Sequence, residues 1–107
     1  MTPAMVYFNI GETTLNDKEM QHLDFLAKNI IAKADEDTDI LITVMGSADG
    51  NTGTMRRNQH LSEARGKYIF DILTTKYGIS PERLVIKSEV VKKAAKPELS
   101  RAVVFTF

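Results

Sequence analysis

The sequence predicts an α+β domain, a β-α-β-α-β-β two-layer sandwich with two helices on one face of a mixed four-stranded sheet. Two patterns predict it. Runs of β-branched and aromatic residues alternate with two long stretches of helical period. A helix between successive strands then requires crossover connections, which lay a helix layer on the sheet. The 107 residues suit one compact domain, with no room for a second core, so residues 1–107 are read as a single unit.

The elements follow in order. Met5 to Ile10 is β-branched and aromatic and stops at Gly11, as a first strand does. Asn16 stands three residues before Glu19, a capping-box spacing that opens a helix over 17–34. Met20, Leu23, Leu26, Ala27, Ile30 and Ile31 form its apolar face, and Asp35-Glu36-Asp37 ends it. Asp39 to Met45 is apolar on both sides, with Ile40, Ile42 and Val44 on one face and Leu41, Thr43 and Met45 on the other. That places it centrally in the sheet. Gly46 to Thr54, with three glycines and no large apolar residue, is expected to be a loop.

A second helix is expected over 55–77, with Leu61, Ala64, Tyr68, Ile69, Ile72 and Leu73 as its stripe and Gly78 as a left-handed terminator. Ser80 to Arg83 is a short helical turn opened by Pro81, and 84–91 and 102–107 are two more strands. With both helices on one face, the other face must be more polar, covered by something outside the chain, or both.

Composition excludes several function classes. Fourteen basic and 14 acidic residues leave no net field for nucleic acid or an acidic membrane surface, so a charged ligand must be recognised locally. With no cysteine, disulfides, thiolate chemistry and sulfur-ligated zinc are ruled out. No apolar run reaches the ~20 residues that cross a bilayer as a helix. The abrupt start, without a charged and apolar leader, reads as a domain excised from a longer protein.

Catalysis finds no support. His22 and His60 have no partner at metal-ligand spacing and are read as surface or packing residues. There is no nucleophile elbow and no phosphate-cradling glycine motif. Asp49 to Gly53 resembles the start of a calcium loop, but His60 stands where the bidentate Glu belongs. No catalytic residue, metal site or cofactor is assigned.

Arg65 is the anomaly. At about 100° per residue, Asn58, Leu61 and Arg65 share one narrow sector of the second helix, beside its apolar stripe. A guanidinium there is partly withdrawn from water, cannot shed its charge, and needs an anionic partner. The plain alternative is that it snorkels to solvent or pairs with a carboxylate elsewhere. Asp49 lies at the end of the central strand, where loops form clefts, and glycines at 46, 50 and 53 allow close backbone approach. An acid and an arginine flanking such a loop suit a zwitterion: carboxylate for its ammonium, guanidinium for its carboxylate. Asn58 adds a donor and an acceptor, while Asp49 also suits a turn-capping role.

The segment from Gly46 to Arg65 resembles the core motif of OmpA C-terminal-like domains, which include the peptidoglycan-associated lipoprotein and flagellar stator proteins. The family pattern is a strand ending in Gly-x-x-Asp, a Thr-Gly, then Asn-x-x-Leu-Ser-x-x-Arg. Here Asp49, Thr52-Gly53, Asn58, Leu61, Ser62 and Arg65 match it. Tyr7-Phe8-Asn9 resembles the first-strand motif, and Ser100-Arg101-Ala102-Val103 the closing Asn-Arg-Arg-Val, so the likeness covers practically the whole chain. Its flanking segments are most similar to OmpA-like proteins of the Bacteroides group.

The resemblance implies a periplasmic domain of an outer-membrane-associated protein that binds peptidoglycan through the diaminopimelate of its stem peptide. The membrane would be reached only through regions absent from this chain, and a homodimer is left open. Asp49 and Arg65 would grip the ammonium and carboxylate, and Asn58, Asn9 and Arg101 would line the same pocket with Thr52 and Gly53. Either Asp49→Ala or Arg65→Ala is expected to abolish wall binding with the fold intact. The sequence departs from the family at Asn9, usually Asp, at one extra residue between Asp49 and Gly53, at a shorter last loop, and at Ala102, usually Arg. Those departures motivate an alternative, the same fold without the ligand, acting as a protein-interaction module.

Overall fold

A computed structural model of the chain describes residues 4–51, 53–93 and 95–107. The described elements are β1 (Ala4–Tyr7), α1 (Asp17–Glu36), β2 (Ile42–Asp49), α2 (Met55–Thr75), β3 (Leu84–Val91) and β4 (Ala102–Thr106), with 3-10 turns at Pro81–Arg83 and Pro97–Ser100. The sheet order is β1-β4-β2-β3. β2 pairs with β3 in parallel and with β4 antiparallel, and β1 pairs antiparallel with β4. This is the expected α+β architecture, with β2 central.

One core lies between the sheet and both helices. Leu23, Ala27 and Ile30 of α1 and Ile69 and Leu73 of α2 are fully buried with Val6, Ile42, Val44 and Val103. Burying each of the larger aliphatic side chains contributes roughly 1.5–3 kcal/mol. By register, Met5, Tyr7, Thr43, Met45 and Val104 lie half-buried on the opposite face, next to exposed Lys87 and Glu89. That face is thus mixed, apolar at its centre and charged along β3.

Several boundaries differ from expectation for identifiable reasons. Strand β2 starts at Ile42 rather than Asp39, because Asp39 and Ile40 turn back onto Asp37 through backbone and side-chain hydrogen bonds. It then runs on to Asp49, in register with Val91, so Gly46 to Asp49 is strand and not loop. Gly46 is needed there for packing. A Cβ at 46 would collide with the Ser62 carbonyl oxygen and stand 2.8 Å from the Gly66 nitrogen. Helix α2 therefore sits directly on the β2 backbone.

That close approach rotates α2 relative to its expected stripe. Its buried face is Asn58, Ser62, Arg65, Gly66, Ile69 and Leu73, while Leu61, Ala64, Tyr68 and Ile72 are only half-buried. The helix ends at Thr75, and Gly78 is left-handed (φ 68°) three residues later, where Ile79 N–H donates to the Leu73 carbonyl.

Helix α1 opens with half of the expected capping box. Asn16 Oδ1 accepts from Glu19 N–H at 2.9 Å, but Glu19 Oε1 accepts from Tyr7 N–H at 2.7 Å and so ties α1 to β1. At the other end Arg83, which no sequence motif marked, donates to the carbonyls of Ala34, Asp37 and Ile40. It satisfies the oxygens that a helix terminus leaves free.

Candidate functional site

The site forms where the ends of β2 and β4 meet the turn after β1 and the first half of α2. β1 stops at Tyr7, although Phe8 N–H still donates to the Arg101 carbonyl at 2.7 Å. The chain then turns: Glu12 N–H donates to the Asn9 carbonyl, and Gly11 takes the left-handed conformation (φ 71°). The first strand is therefore shorter than expected, and the turn leaves the Asn9 and Glu12 carbonyls aimed at α2.

Arg65 meets them. It is 1% exposed, the largest fully buried side chain of the chain's described residues. Its Nε donates to Glu12 O at 2.9 Å, Nη1 to Ser47 O at 3.0 Å and Nη2 to Asn9 O at 3.3 Å. Its guanidinium carbon stands 5.3 Å from the Phe8 ring centroid. The direct partners of this buried cation are thus three backbone carbonyls and an aromatic face, rather than a carboxylate. One side chain ties α2, β2 and the β1–α1 turn together. Three of its five N–H groups serve in this way, leaving one free donor on each terminal nitrogen.

This changes one expectation. Removing Arg65 would take a buried donor from three carbonyls, so Arg65→Ala is a folding variant as much as a binding one.

Asp49 closes β2. The sheet holds it through its register with Val91, and Gly50 N–H donates to the Val91 carbonyl. Asp49 Oδ1 accepts from Asn51 N–H at 2.8 Å, the turn-capping role, and Oδ2 pairs with Arg101 Nη1 at 3.3 Å. The extra residue is therefore taken up after Asp49, and β2 remains in register to its end. Thr54 caps α2 by accepting from Arg57 N–H at 3.2 Å.

Asp49, Gly53, Arg57, Asn58, Arg65 and Arg101 line one cleft of about 100 Å³ together with Ile10, Gly11 and Leu61. Asn58 is 5% exposed, and Gly53 is left-handed (φ 74°) beside its side-chain amide. Of the glycines expected to admit a ligand, Gly53 alone lines the cleft; Gly46 packs against α2, and Gly50 packs against Val90 and Val91. The Asn9 side chain points elsewhere. Its Nδ2 reaches Glu12 Oε2 at 3.4 Å, and the residue lines an adjoining groove while its carbonyl holds Arg65. Thr52 lies outside the described residues. His22 and His60 are both exposed, away from this cleft.

Electrostatically the cleft is cationic. Three guanidinium side chains face one carboxylate. Burial, and after it the neighbouring Arg101, lower the Arg65 pKa from its ordinary value, while Asp49 offsets part of the effect. An anion entering beside Arg65 would relieve that imbalance, and an ammonium would find Asp49. Arg57, which sequence reading passed over, is found only through the turn geometry that brings it near Gly11.

A sequence model described as the OmpA family matches residues 7–102. Outer membrane protein 41 of Porphyromonas gingivalis (strain ATCC BAA-308 / W83) is 36% identical over 106 residues, covering 97% of this chain and 26% of that protein. The chain thus spans about a quarter of the length of this curated relative. It also agrees with the Bacteroides-group likeness of the flanking segments. Among solved structures, the peptidoglycan-associated lipoprotein from Burkholderia pseudomallei superposes with a TM-score of 0.74 at 18% identity, over 96% of this chain and 90% of that one. The C-terminal domain of Helicobacter pylori MotB does so with a TM-score of 0.72 at 21% identity, over 100% and 85%. At such identities the likeness is one of fold. No helix among the described residues is long and apolar enough to cross a membrane.

Proposed function

This chain belongs to the OmpA family, and we propose that it binds peptidoglycan non-covalently through the diaminopimelate of the stem peptide. It would act as the periplasmic domain of an outer-membrane-associated anchor, reaching the membrane through regions outside this chain. The observation that carries the reading is the single small cleft that Asp49, Asn58, Arg65 and Arg101 line together. The names of two relatives, an outer membrane protein and a peptidoglycan-associated lipoprotein, support it.

In this reading the ligand's ammonium approaches Asp49 and its carboxylate approaches the two free N–H groups of Arg65. The Asp49–Arg101 contact of 3.3 Å is long for a charge-assisted hydrogen bond, which is usually 2.7–2.9 Å, so it yields readily to a better partner. Arg101 is then free to turn toward the ligand's carboxylate, and Asn58 bonds alongside. Each charge-assisted contact is worth about 1.5–3 kcal/mol, and binding entropy removes much of the sum. One stem peptide is held modestly, and many tethered copies on a polymer supply the rest. Nothing in the cleft is asked to break a bond, so the module is a holder and not an enzyme.

The Asp49–Arg101 pair also favours a second reading, a ligand-free fold that serves as a protein-interaction module, because Asp49 already has partners. Co-sedimentation with purified sacculi separates the two. The anchor predicts retention on diaminopimelate walls and weaker retention on lysine walls, whose side chain lacks the carboxylate. A chain left in the supernatant with both would contradict it.

A further inference from the structure

The sheet has two edges, and they are finished differently. β1 is four residues long, and the Glu19 carboxylate accepts from its Tyr7 N–H. Short length and a covering group are two of the ways an edge is kept from pairing. β3 is eight residues long, holds its register with β2 from Leu84 to Val91 without a bulge, and contains no proline. Successive residues of a strand turn their N–H and C=O groups to opposite sides. The Val91 carbonyl points to β2, where Gly50 N–H meets it. Val85, Lys87 and Glu89 therefore point to β2 as well, and Ile86, Ser88 and Val90 point away from the sheet. These three residues offer their backbone groups to another strand.

We infer that β3 pairs antiparallel with the β3 of a second copy of this chain, with Ser88 on the two-fold axis. An axis normal to the sheet keeps each side chain on its own face, so one residue must lie opposite its own copy. With Ser88 there, Lys87 of each copy lies opposite Glu89 of the other. Those are non-hydrogen-bonded positions, where side chains come closest. Val85 lies opposite Val91 and Ile86 opposite Val90, while Ile86, Ser88 and Val90 exchange the backbone bonds. Other centres fit worse. On Ile86, Lys87 meets Val85; on Val90, Glu89 meets Val91; on Lys87 or Glu89, like charges meet. A charged edge ordinarily repels a second strand, but the Lys-x-Glu spacing about Ser88 is self-complementary.

The helix side of the edge agrees. Met55 of α2 lines a groove of about 320 Å³ with Val90. Met55 is 45% exposed and Ile86 43%. Setting Ile86 of the second copy opposite Val90 brings these two exposed apolar side chains over one groove. The two-fold sends the two Asp49 clefts to opposite ends of one continuous sheet, and nothing in the pairing depends on what the cleft binds.

The test is sedimentation equilibrium of the chain over a concentration series, with charge variants whose melting temperatures confirm the fold. The unsubstituted chain should dimerise reversibly. Lys87→Glu puts acid opposite acid twice and Glu89→Lys puts lysine opposite lysine twice, so each alone should weaken the dimer by about 10- to 100-fold. An equimolar mixture of the two single variants, and the double variant K87E/E89K, should each recover it. An unsubstituted chain that stays monomeric into the millimolar range overturns the inference. Dimerisation unchanged in both single variants overturns it by placing the contact elsewhere, and no recovery in the mixture overturns the register.

Discussion

Arg101 holds Asp49 across the mouth of the cleft, Nη1 to Oδ2 at 3.3 Å, with the two side chains 17% and 9% exposed. The pair, with the Asn51 N–H on Oδ1, holds the Asp49 carboxylate in one orientation. If Arg101 then serves the ligand's carboxylate, Arg101→Ala weakens stem-peptide binding by about 3- to 10-fold, somewhat less than the full worth of a charge-assisted bond, because Asp49 is released in exchange. Calorimetry reads the change. Tighter binding by Arg101→Ala would show that the arginine only competes for Asp49.

Arg65 ties three segments of the fold together, and in the proposed reading it also meets the ligand. Removing it takes a donor from each of the Glu12, Ser47 and Asn9 carbonyls, of which Asn9 still accepts from Glu12 N–H, at a cost on the order of 2–4 kcal/mol. Arg65→Ala should lower the melting temperature by roughly 10–25 °C. Arg65→Lys, with a point charge in place of the planar fork, should fall between. A melting temperature within 3 °C of the parent would contradict the clamp.

Gly46 and Gly66 form an asymmetric contact. A methyl at 46 meets backbone that cannot shift, so Gly46→Ala should cost roughly 2–4 kcal/mol in urea denaturation or prevent folding. At 66 the nearest atoms lie 3.5 Å away, an ordinary contact, and Gly66→Ala should change stability by less than about 1 kcal/mol. Equal costs would mean that α2 does not lie this close to β2.

Tyr77 supplies a pH dependence remote from the cleft. Its hydroxyl donates to Asp24 Oδ1 at 2.7 Å, and burial, followed by that hydrogen bond, raises its pKa from 10.0 to about 12. Because the folded value lies above the unfolded one, the contribution is complete below pH 10 and is lost as pH rises toward 12. Stability should therefore decline over that window, and Tyr77→Phe should flatten the decline. An unchanged alkaline profile in Tyr77→Phe would contradict the assignment.

The legible and illegible parts of this fold divide along physical lines. Leu23, Ala27 and Ile30 repeat at helical spacing, and that periodicity alone locates α1 and its buried face. Arg65 is legible as a charge on the wrong side of a helix. Its partners are not, because Asn9, Glu12 and Ser47 contribute backbone oxygens, which any residue at those positions would carry. Gly46 misleads for a related reason. Glycine is the ordinary signal of a loop, yet here it lies mid-strand to admit a helix. The face it admits, Ser62 to Gly66, has no hydrophobicity for a periodicity argument to find. Arg57 enters the cleft through the turn at Gly11, a tertiary fact.

The central claim is that Asp49 and its cleft hold a zwitterion. The most direct measurement is calorimetric titration with a diaminopimelate stem peptide, comparing the unsubstituted chain with Asp49→Ala. Asp49 is the better probe than Arg65, because its loss removes one turn cap and one ion pair and leaves the three-carbonyl clamp in place. Saturable binding by the unsubstituted chain, reduced at least about 10-fold in a substituted chain that still melts cooperatively, is the predicted result. Equal affinity of the two for the peptide would contradict it.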